Sequence, residues 1–247
     1  MISKAKIKFI RSLEQKKIRM QERMFVAEGP KVVGDLLKVM HAKLIVKTAK
    51  PKIENAGDAE IIDVTEEELR KVSFLQHPQD ILAVFPILEE PNVKPAIPSL
   101  SLALDGVQDP GNLGTIIRIA DWFGIDHIYC SIDTADAYNP KVVQATMGSL
   151  ARVNVEYTDL KALMETFPAD YPIYGTLLDG KNIYKEPLTK EGLIVMGNEG
   201  NGISPEIRNK VNHKLLIPNY PEGRDTADSL NVAIATAITC NEFRRRQ

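Results

Sequence analysis

The feature that most limits the fold of this chain is the alternation of short apolar segments with helix-length segments after residue 99. Strands are predicted at residues 100–105, 127–131, 172–178, 192–196 and 214–217. Helices are predicted at residues 113–123, 140–147, 159–167, 204–211 and 229–244. Parallel strands need crossovers of this length, so the pattern predicts a parallel α/β sheet, which binds ligands beyond the carboxyl ends of its strands.

The preceding part of the chain is predicted to form a separate and smaller α/β domain. A basic N-terminal helix is followed by strands predicted at residues 24–28, 43–47, 60–64 and 81–85. Four prolines between Pro86 and Pro98 disfavour both helix and central strand, so this segment is predicted to be a linker. We therefore expect one domain over residues 1–95 and a second over residues 99–247.

Composition narrows the class of protein. Hydrophobic residues make up 44% of the 247 residues and charged residues 26%, as in an ordinary globular protein. Cys130 and Cys240 lie far apart in apolar segments and are expected to be buried free thiols in a reducing compartment. The four histidines are scattered, so no metal site is expected. The lack of a long apolar run or leader pattern predicts a cytoplasmic protein with no membrane partner.

Charge is unevenly distributed along the chain. Residues 1–31 carry nine Lys or Arg against three Glu, although the net charge of the whole chain is −2. This basic arm on an acidic body is compatible with a solvated helix face. It is equally compatible with contact to the phosphates of a nucleic acid.

A first unusual tract follows the strand predicted at residues 100–105. Asp109, Pro110 and Gly111 are typical of a turn, and Asn112 can cap the helix after it. Arg118 lies among isoleucines and alanine on that helix. A guanidinium in such surroundings indicates either a structural ion pair or a contact to phosphate or ribose.

Two further tracts follow later strands. The segment Gly192–Ser204 runs from an apolar strand into Gly197, Gly200 and Gly202, whose order does not match the dinucleotide fingerprint. These glycines allow close approach of backbone to a ligand, and Glu199 would lie beside that ligand. In the third tract a strand ends at Ile217-Pro218, and Asp228 or Ser229 starts a helix that is apolar nearly all round. Such a helix is buried by the core or by a partner subunit.

Together the three tracts resemble the SpoU/TrmH family of the SPOUT methyltransferase superfamily. The family motifs match Asn112 and Arg118 within Asp-Pro-Gly-Asn-Leu-Gly, then Gly197, Glu199 and Gly202, and finally Ile217-Pro218 with Ser229-Leu230-Asn231-Val232. The chain departs from the family pattern in residues 219–228, where ten residues stand instead of about six, and Asp228 replaces a frequent Glu.

The resemblance implies an α/β domain with a deep trefoil knot, preceded by a small α/β/α RNA-binding domain. It also implies a homodimer that uses S-adenosylmethionine to methylate a ribose 2′-hydroxyl of RNA, with ribosomal RNA favoured over transfer RNA. The residues expected at the cofactor are Thr176, Gly197, Asn198, Gly202, Ile217, Pro218 and Leu230. The residues expected to carry the chemistry are Arg118, Asn112, Glu199, Ser229 and Asn231.

A ribose hydroxyl is a weak nucleophile, so its developing negative charge has to be stabilised. A guanidinium is very hard to deprotonate, so Arg118 is expected to stabilise the alkoxide or to relay a proton through phosphate. An RNA-binding protein on an inactive methyltransferase scaffold and a nucleotide-dependent oxidoreductase are the alternatives. The intact motif set argues against the former, and the missing fingerprint argues against the latter.

Overall fold

The structure is a computed structural model that describes residues 1–87, 99–221, 224 and 227–245. These residues form two compact units, each with its own sheet. One unit holds residues 1–87 together with Asp136–Ala151, and the other holds residues 99–135 and the described residues from Arg152 onward. Most of the predicted linker, from residue 88 to residue 98, lies outside the described residues.

The N-terminal unit begins with two helices where a single basic helix was predicted. They are separated at Leu13, which is fully buried and ends the first helix. Its elements are α1 (Lys4–Ser12), α2 (Lys16–Glu22), β1 (Met24–Glu28), α3 (Pro30–Leu37), β2 (Leu44–Lys47), β3 (Glu60–Asp63), α4 (Glu66–Val72) and β4 (Ile81–Pro86). All four predicted strands are confirmed within a residue or two.

The sheet of this unit has the order β1-β4-β2-β3, and its strands β1, β4 and β2 are buried on both faces, whereas β3 is largely exposed. Phe25, Ala83 and Phe85 point into one core cluster, and their neighbours Val26 and Val84 point into another. This alternation follows from the period of two along a strand. The expected small α/β/α unit is therefore observed.

A segment from later in the chain completes this unit. Val143 is buried in the core cluster that contains Phe25. Arg19, only 1% exposed, donates through Nε and Nη2 to Asp136 Oδ2 at 3.1 and 2.5 Å. Its Nη1 donates to the carbonyls of Leu13 and Glu14. A buried guanidinium with these acceptors is satisfied, so the ion pair fixes α2 to the segment Asp136–Ala151.

From residue 99 onward, strands and helices alternate as predicted. The order is β5 (Leu100–Asp105), α5 (Pro110–Trp122), β6 (His127–Cys130), α6 (Pro140–Ala145), β7 (Asn154–Tyr157), α7 (Leu160–Glu165), β8 (Ile173–Asn182), β9 (Gly192–Gly197), α8 (Pro205–Arg208), β10 (His213–Leu216) and α9 (Val232–Arg245). Strand β7 was not predicted, because it is a short, half-buried strand at the edge of the sheet.

The second sheet has the order β10-β8-β9-β5-β6-β7 with every pairing parallel, which confirms the predicted parallel sheet. The chain runs outward from β5 through β6 to β7, and the later strands lie on the other side of β5. Ligands of parallel sheets bind at such a reversal of strand order, beyond the carboxyl ends. The ends of β5, β9 and β10 meet at this edge of the sheet.

The cysteines and the lengths of the helices were also subjects of prediction. Cys130 and Cys240 are both free and buried, as predicted. No helix among the described residues is long and apolar enough to cross a bilayer.

Candidate functional site

The first two tracts are joined directly where β5 and β9 end side by side. Asp105 Oδ2 at the end of β5 accepts the backbone N–H of Ser204 at 2.7 Å. Asn198 Nδ2, just beyond β9, donates to the carbonyl of Gly106 at 2.7 Å. These two bonds fix the glycine-rich loop after β9 against the start of the first tract.

The glycine-rich loop 197–202 is a tight turn held by one asparagine. The backbone N–H of Asn198 donates to the Gly202 carbonyl, and that of Gly202 donates back, both at 2.9 Å. Asn198 Oδ1 accepts the N–H groups of Gly200 and Asn201. A Cβ on Gly197 would lie 2.2 Å from the Gly202 carbonyl carbon, so a side chain there would collide with the backbone. Both the oxygen and the nitrogen of the Asn198 amide therefore have partners within the protein.

Three of the predicted catalytic side chains form a hydrogen-bonded row. Asn112 Nδ2 donates to Glu199 Oε1 at 2.9 Å. Asn231 Nδ2 donates to Asn112 Oδ1, also at 2.9 Å. The row takes one residue from each tract, and both functional atoms of the Asn112 amide have a partner. The other Glu199 oxygen and any remaining lone pairs are directed to solvent, since the Glu199 side chain is exposed.

The predicted cap of α5 was wrong in detail. Asp109 is the N-cap, and its Oδ1 accepts the N–H of Asn112 at 2.7 Å, while Pro110 occupies the first helical turn. A carboxylate suits a helix N-terminus because it satisfies free N–H groups and meets the helix dipole. Capping by Asp109 leaves the Asn112 side chain free to reach Glu199 and Asn231.

The predicted start of the last helix was also early. α9 begins at Val232, and Asn231 Oδ1 accepts the N–H groups of Ala233 and Ile234. Ser229, predicted to begin the helix, instead lines a cavity. Asn231 therefore has two functions, since its oxygen caps α9 while its amide nitrogen holds Asn112.

Arg118 lies apart from this row. Six helical residues turn the chain by about 600°, so Arg118 and Asn112 project about 120° apart around α5. The side chain is exposed, and it makes no hydrogen bond or ion pair with any residue in the described part of the chain. Ile116 and Ile117, its neighbours, are fully buried. The structural ion pair considered for Arg118 is therefore not present among the described residues.

A cavity of about 540 Å³ opens beside the glycine-rich loop. Its walls are formed by the middle of β8, the loop after β9, the end of β10 and the segment that leads into α9. Six of the seven residues predicted at the cofactor line it: Thr176, Gly197, Asn198, Gly202, Ile217 and Leu230. Glu199 and Ser229 also line it, whereas Pro218 is not among the described residues of the lining.

The cavity contains two charged residues that the sequence did not indicate. Arg208 Nη2 donates to Asp179 Oδ2 at 2.6 Å, and Lys214 Nζ donates to the same oxygen at 3.0 Å. The hydrogen bond from Lys214, with the charge of Arg208, lowers the pKa of Asp179. Asp179 and Arg208 are 29 residues apart and belong to no motif, so only the fold could reveal the pair.

The lining suits a nucleoside cofactor rather than a metal. The lining combines apolar side chains, such as those of Leu177, Met196 and Ile203, with residues of the glycine-rich loop. Nucleoside pockets typically combine an apolar wall with a few polar groups. Across the described residues, no group of three or more His, Cys, Asp or Glu could hold a metal ion.

Both parts of the chain match families of known proteins. Residues 99–241 match the SpoU rRNA Methylase family, and residues 4–83 match an MRM3-like substrate binding domain. The 23S rRNA (guanosine(2553)-2′-O)-methyltransferase RlmP of Bacillus subtilis is 34% identical over 245 residues, covering 97% of this chain and 96% of its own.

Solved structures agree over the full length. A TrmH-family structure from Porphyromonas gingivalis is 42% identical with a TM-score of 0.91, and all of both chains is covered. An AdoMet-bound rRNA methyltransferase from Sinorhizobium meliloti is 31% identical with a TM-score of 0.88, covering 100% of this chain and 96% of its own. The family matched by the three tracts is thus confirmed: the chain belongs to the SpoU rRNA methylase family.

Proposed function

We propose that this protein transfers a methyl group from S-adenosylmethionine to a ribose 2′-hydroxyl of ribosomal RNA. The observation that carries the proposal is the row Glu199–Asn112–Asn231, whose Glu199 lines the cavity beside the glycine-rich loop. Membership of the SpoU family supports the reaction class, and the full-length relatives named as rRNA methyltransferases support the substrate.

The cavity is proposed to hold S-adenosylmethionine. Thr176, Gly197, Gly202, Ile217 and Leu230 would surround it, and the assignment of Pro218 to this set stays a prediction. The bound cofactor supplies a methyl group that its sulfonium has already activated. Asn198 would act indirectly, because its amide is occupied in shaping the loop.

The polar row is proposed to orient the ribose. Glu199 has an oxygen free to accept a hydrogen bond from a hydroxyl, and Asn112 fixes the position of that carboxylate. Ser229 adds a hydroxyl at the cavity wall. Alignment of the reacting atoms is a large part of the catalysis of such a displacement. Arg118 would then stabilise the negative charge that develops on the ribose oxygen.

Arg118 points away from the row of its own chain, so we propose that a homodimer completes the site. Trp122, one turn further along α5, is 84% exposed, and Ile234 on the neighbouring helix α9 is 52% exposed. Large apolar side chains exposed on two packed helices are typical of an interface. A second copy that covers them would bring the Arg118 of one chain to the cavity of the other.

This arrangement predicts complementation between inactive variants. A chain with Arg118→Ala and a chain with Asn112→Ala, co-expressed and purified as a mixed dimer, should recover one of two active sites, about half of the wild-type activity per dimer. Mixed dimers as inactive as the two parents would show that each chain uses its own arginine.

The N-terminal arm is proposed to contact RNA phosphates. Several of its cations are committed to the fold, since Arg19 is buried on Asp136, and Lys6 pairs with Glu60. Four exposed lysines remain, and none of them forms an ion pair within the part of the chain that the structure describes: Lys4, Lys8, Lys16 and Lys17. Removing them should weaken RNA binding and reduce its salt dependence.

The two predicted domains would have separate roles in this reaction. Residues 1–95 would form the RNA-binding domain, although the compact N-terminal unit also includes Asp136–Ala151. Residues 99–247 would form the methyltransferase domain, with its strands and loops threaded as a trefoil knot. The protein would act in the cytoplasm, where ribosomal RNA is modified.

The test is to map ribose methylation in RNA from cells that lack this protein. Loss of one 2′-O-methyl group from ribosomal RNA, restored by the wild-type gene, supports the proposal. Loss from transfer RNA instead would support the alternative substrate. An unchanged methylation map, together with RNA binding by the purified protein, would favour an RNA-binding protein on an inactive scaffold.

A further inference from the structure

The charges that line the cofactor cavity are not balanced. Asp179, Glu199 and Asp228 contribute carboxylates, whereas Arg208 is the sole cation among the described residues of the lining. Asp179 is already matched by Arg208 at 2.6 Å and by Lys214 at 3.0 Å. The negative excess therefore resides on Glu199 and Asp228.

Neither of these two carboxylates has a cationic partner in the described chain. Glu199 accepts a hydrogen bond from the neutral amide of Asn112, which orients it without cancelling its charge. Asp228 is exposed and, within the described residues, forms no ion pair. Their charge is screened by water but not neutralised by protein.

We infer that this cavity discriminates by charge, and that Asp228 and Glu199 make it prefer the cationic cofactor over the neutral product of the reaction. The inference rests on the proposed function. S-adenosylmethionine carries a sulfonium cation, and S-adenosylhomocysteine carries an uncharged thioether in its place. The two ligands differ only in the transferred methyl group and the charge that it places on sulfur, so a charged wall can distinguish them.

The discrimination has a consequence for turnover. Attraction to the sulfonium is present in the ground state and fades as the charge is lost, so it does not accelerate the chemical step. The neutral product lacks this attraction and is therefore bound less tightly than the cofactor. The cavity thereby favours release of S-adenosylhomocysteine and its replacement by fresh cofactor.

The experiment is calorimetric titration of the intact protein with three ligands. S-adenosylmethionine and sinefungin are cationic at the reacting position, and S-adenosylhomocysteine is neutral. Asp228→Asn should weaken binding of both cations about threefold, as expected for one screened charge nearby, and change binding of the neutral ligand by less than about 1.5-fold. Raising the salt from about 0.05 M to 0.5 M should reduce the same preference in the wild type.

Two variants separate charge from structure. Asp228→Glu keeps the charge and should keep the preference. Asp170→Asn removes the same charge at an exposed position that does not line the cavity and should leave all three affinities unchanged. Equal weakening of the three ligands by Asp228→Asn, or the same selective loss with Asp170→Asn, would overturn the inference. Failure of all three ligands to bind would overturn the proposed cofactor as well.

Discussion

Asn112 Nδ2 donates a hydrogen bond to Glu199 Oε1 at 2.9 Å, although 87 residues separate the two side chains. The bond links the loop after β5 to the loop after β9, and Asn231 extends it to the start of α9. A carboxylate held by an amide keeps its charge and gains a fixed position. The site thus depends on a neutral residue at its centre.

Replacing this neutral residue by an acid should disable the site. In Asn112→Asp, a second carboxylate would face Glu199 at hydrogen-bonding distance, and the two would repel or share a proton. Because the oriented oxygen would shift, we expect the rate of methyl transfer to fall about 100-fold. Single-turnover measurements with labelled cofactor give this rate.

The matched control is Asn55→Asp, which makes the same chemical change in an exposed loop of the N-terminal unit. It should retain full activity. Equal rates for Asn112→Asp and the wild type would show that the contact to Glu199 has no part in the reaction.

Breaking the buried ion pair between Arg19 and Asp136 should destabilise the N-terminal unit strongly. Arg19→Met would leave the Asp136 carboxylate buried without its cationic partner, which costs about 3–5 kcal/mol of unfolding free energy. Adding Asp136→Asn to that variant removes the stranded charge and should recover part of the loss. Urea unfolding followed by circular dichroism measures both changes.

The control here is an ion pair at the surface. Lys31 and Asp35 pair at 3.1 Å with the lysine largely exposed, so Lys31→Met should cost less than about 1 kcal/mol. A loss for Arg19→Met that is no larger than this would mean that Arg19 does not fix the segment Asp136–Ala151.

Glu28 should make stability depend on pH. Burial raises the pKa of Glu28 above its ordinary value, and hydrogen bonds from Ser73 and the N–H of Phe74 offset only part of that rise. Because the pKa is higher in the folded state, the stabilisation is complete below about pH 4.3, the ordinary pKa of Glu. It is lost as the pH rises through the folded value.

The isosteric variant Glu28→Gln lacks this titration and provides the comparison. Its unfolding free energy, relative to that of the wild type, should rise between about pH 4 and pH 7. Urea unfolding of both proteins at several pH values measures the difference. A difference that stays constant over this range would refute the assigned burial of the charge.

Both thiols should be unreactive in the native protein. Burial raises the pKa of Cys240 to about 12 and also raises the pKa of Cys130. Since the thiolate is the reactive form, neither residue should react with a disulfide reagent at neutral pH until the chain unfolds. Rapid labelling of one thiol under native conditions would show that its helix or strand opens to solvent.

The second sheet and most residues of the candidate site could be predicted, because local sequence patterns indicate them. Each strand of the second sheet except β7 has an apolar run, and motif residues such as Glu199 follow directly after a strand. β7 is short and half-buried, with polar side chains within it, so it lacks the periodicity that identifies a strand. The N-cap of α5 was predicted wrongly because Asp109 and Asn112 are both good capping residues, and the sequence does not choose between them.

Other features depend on contacts that no local pattern encodes. Nothing in the neighbourhood of Asp136 indicates that its carboxylate meets Arg19, which lies 117 residues earlier. The pair of Asp179 and Arg208 in the cavity arises in the same way, from strand order and helix placement. Arg118 could be assigned as functional from its motif, but only the structure shows that it forms no ion pair with the described residues.

We propose that this protein methylates a ribose of RNA at its cavity, with help from Arg118. The most direct test supplies ribosomal RNA and labelled S-adenosylmethionine to the wild type and to Arg118→Ala, then digests the RNA to nucleosides. We predict label in a 2′-O-methylnucleoside, at least about 100-fold slower transfer by the variant, and cofactor affinity within about twofold of the wild type. Label on a base, or full activity of Arg118→Ala, would contradict this account.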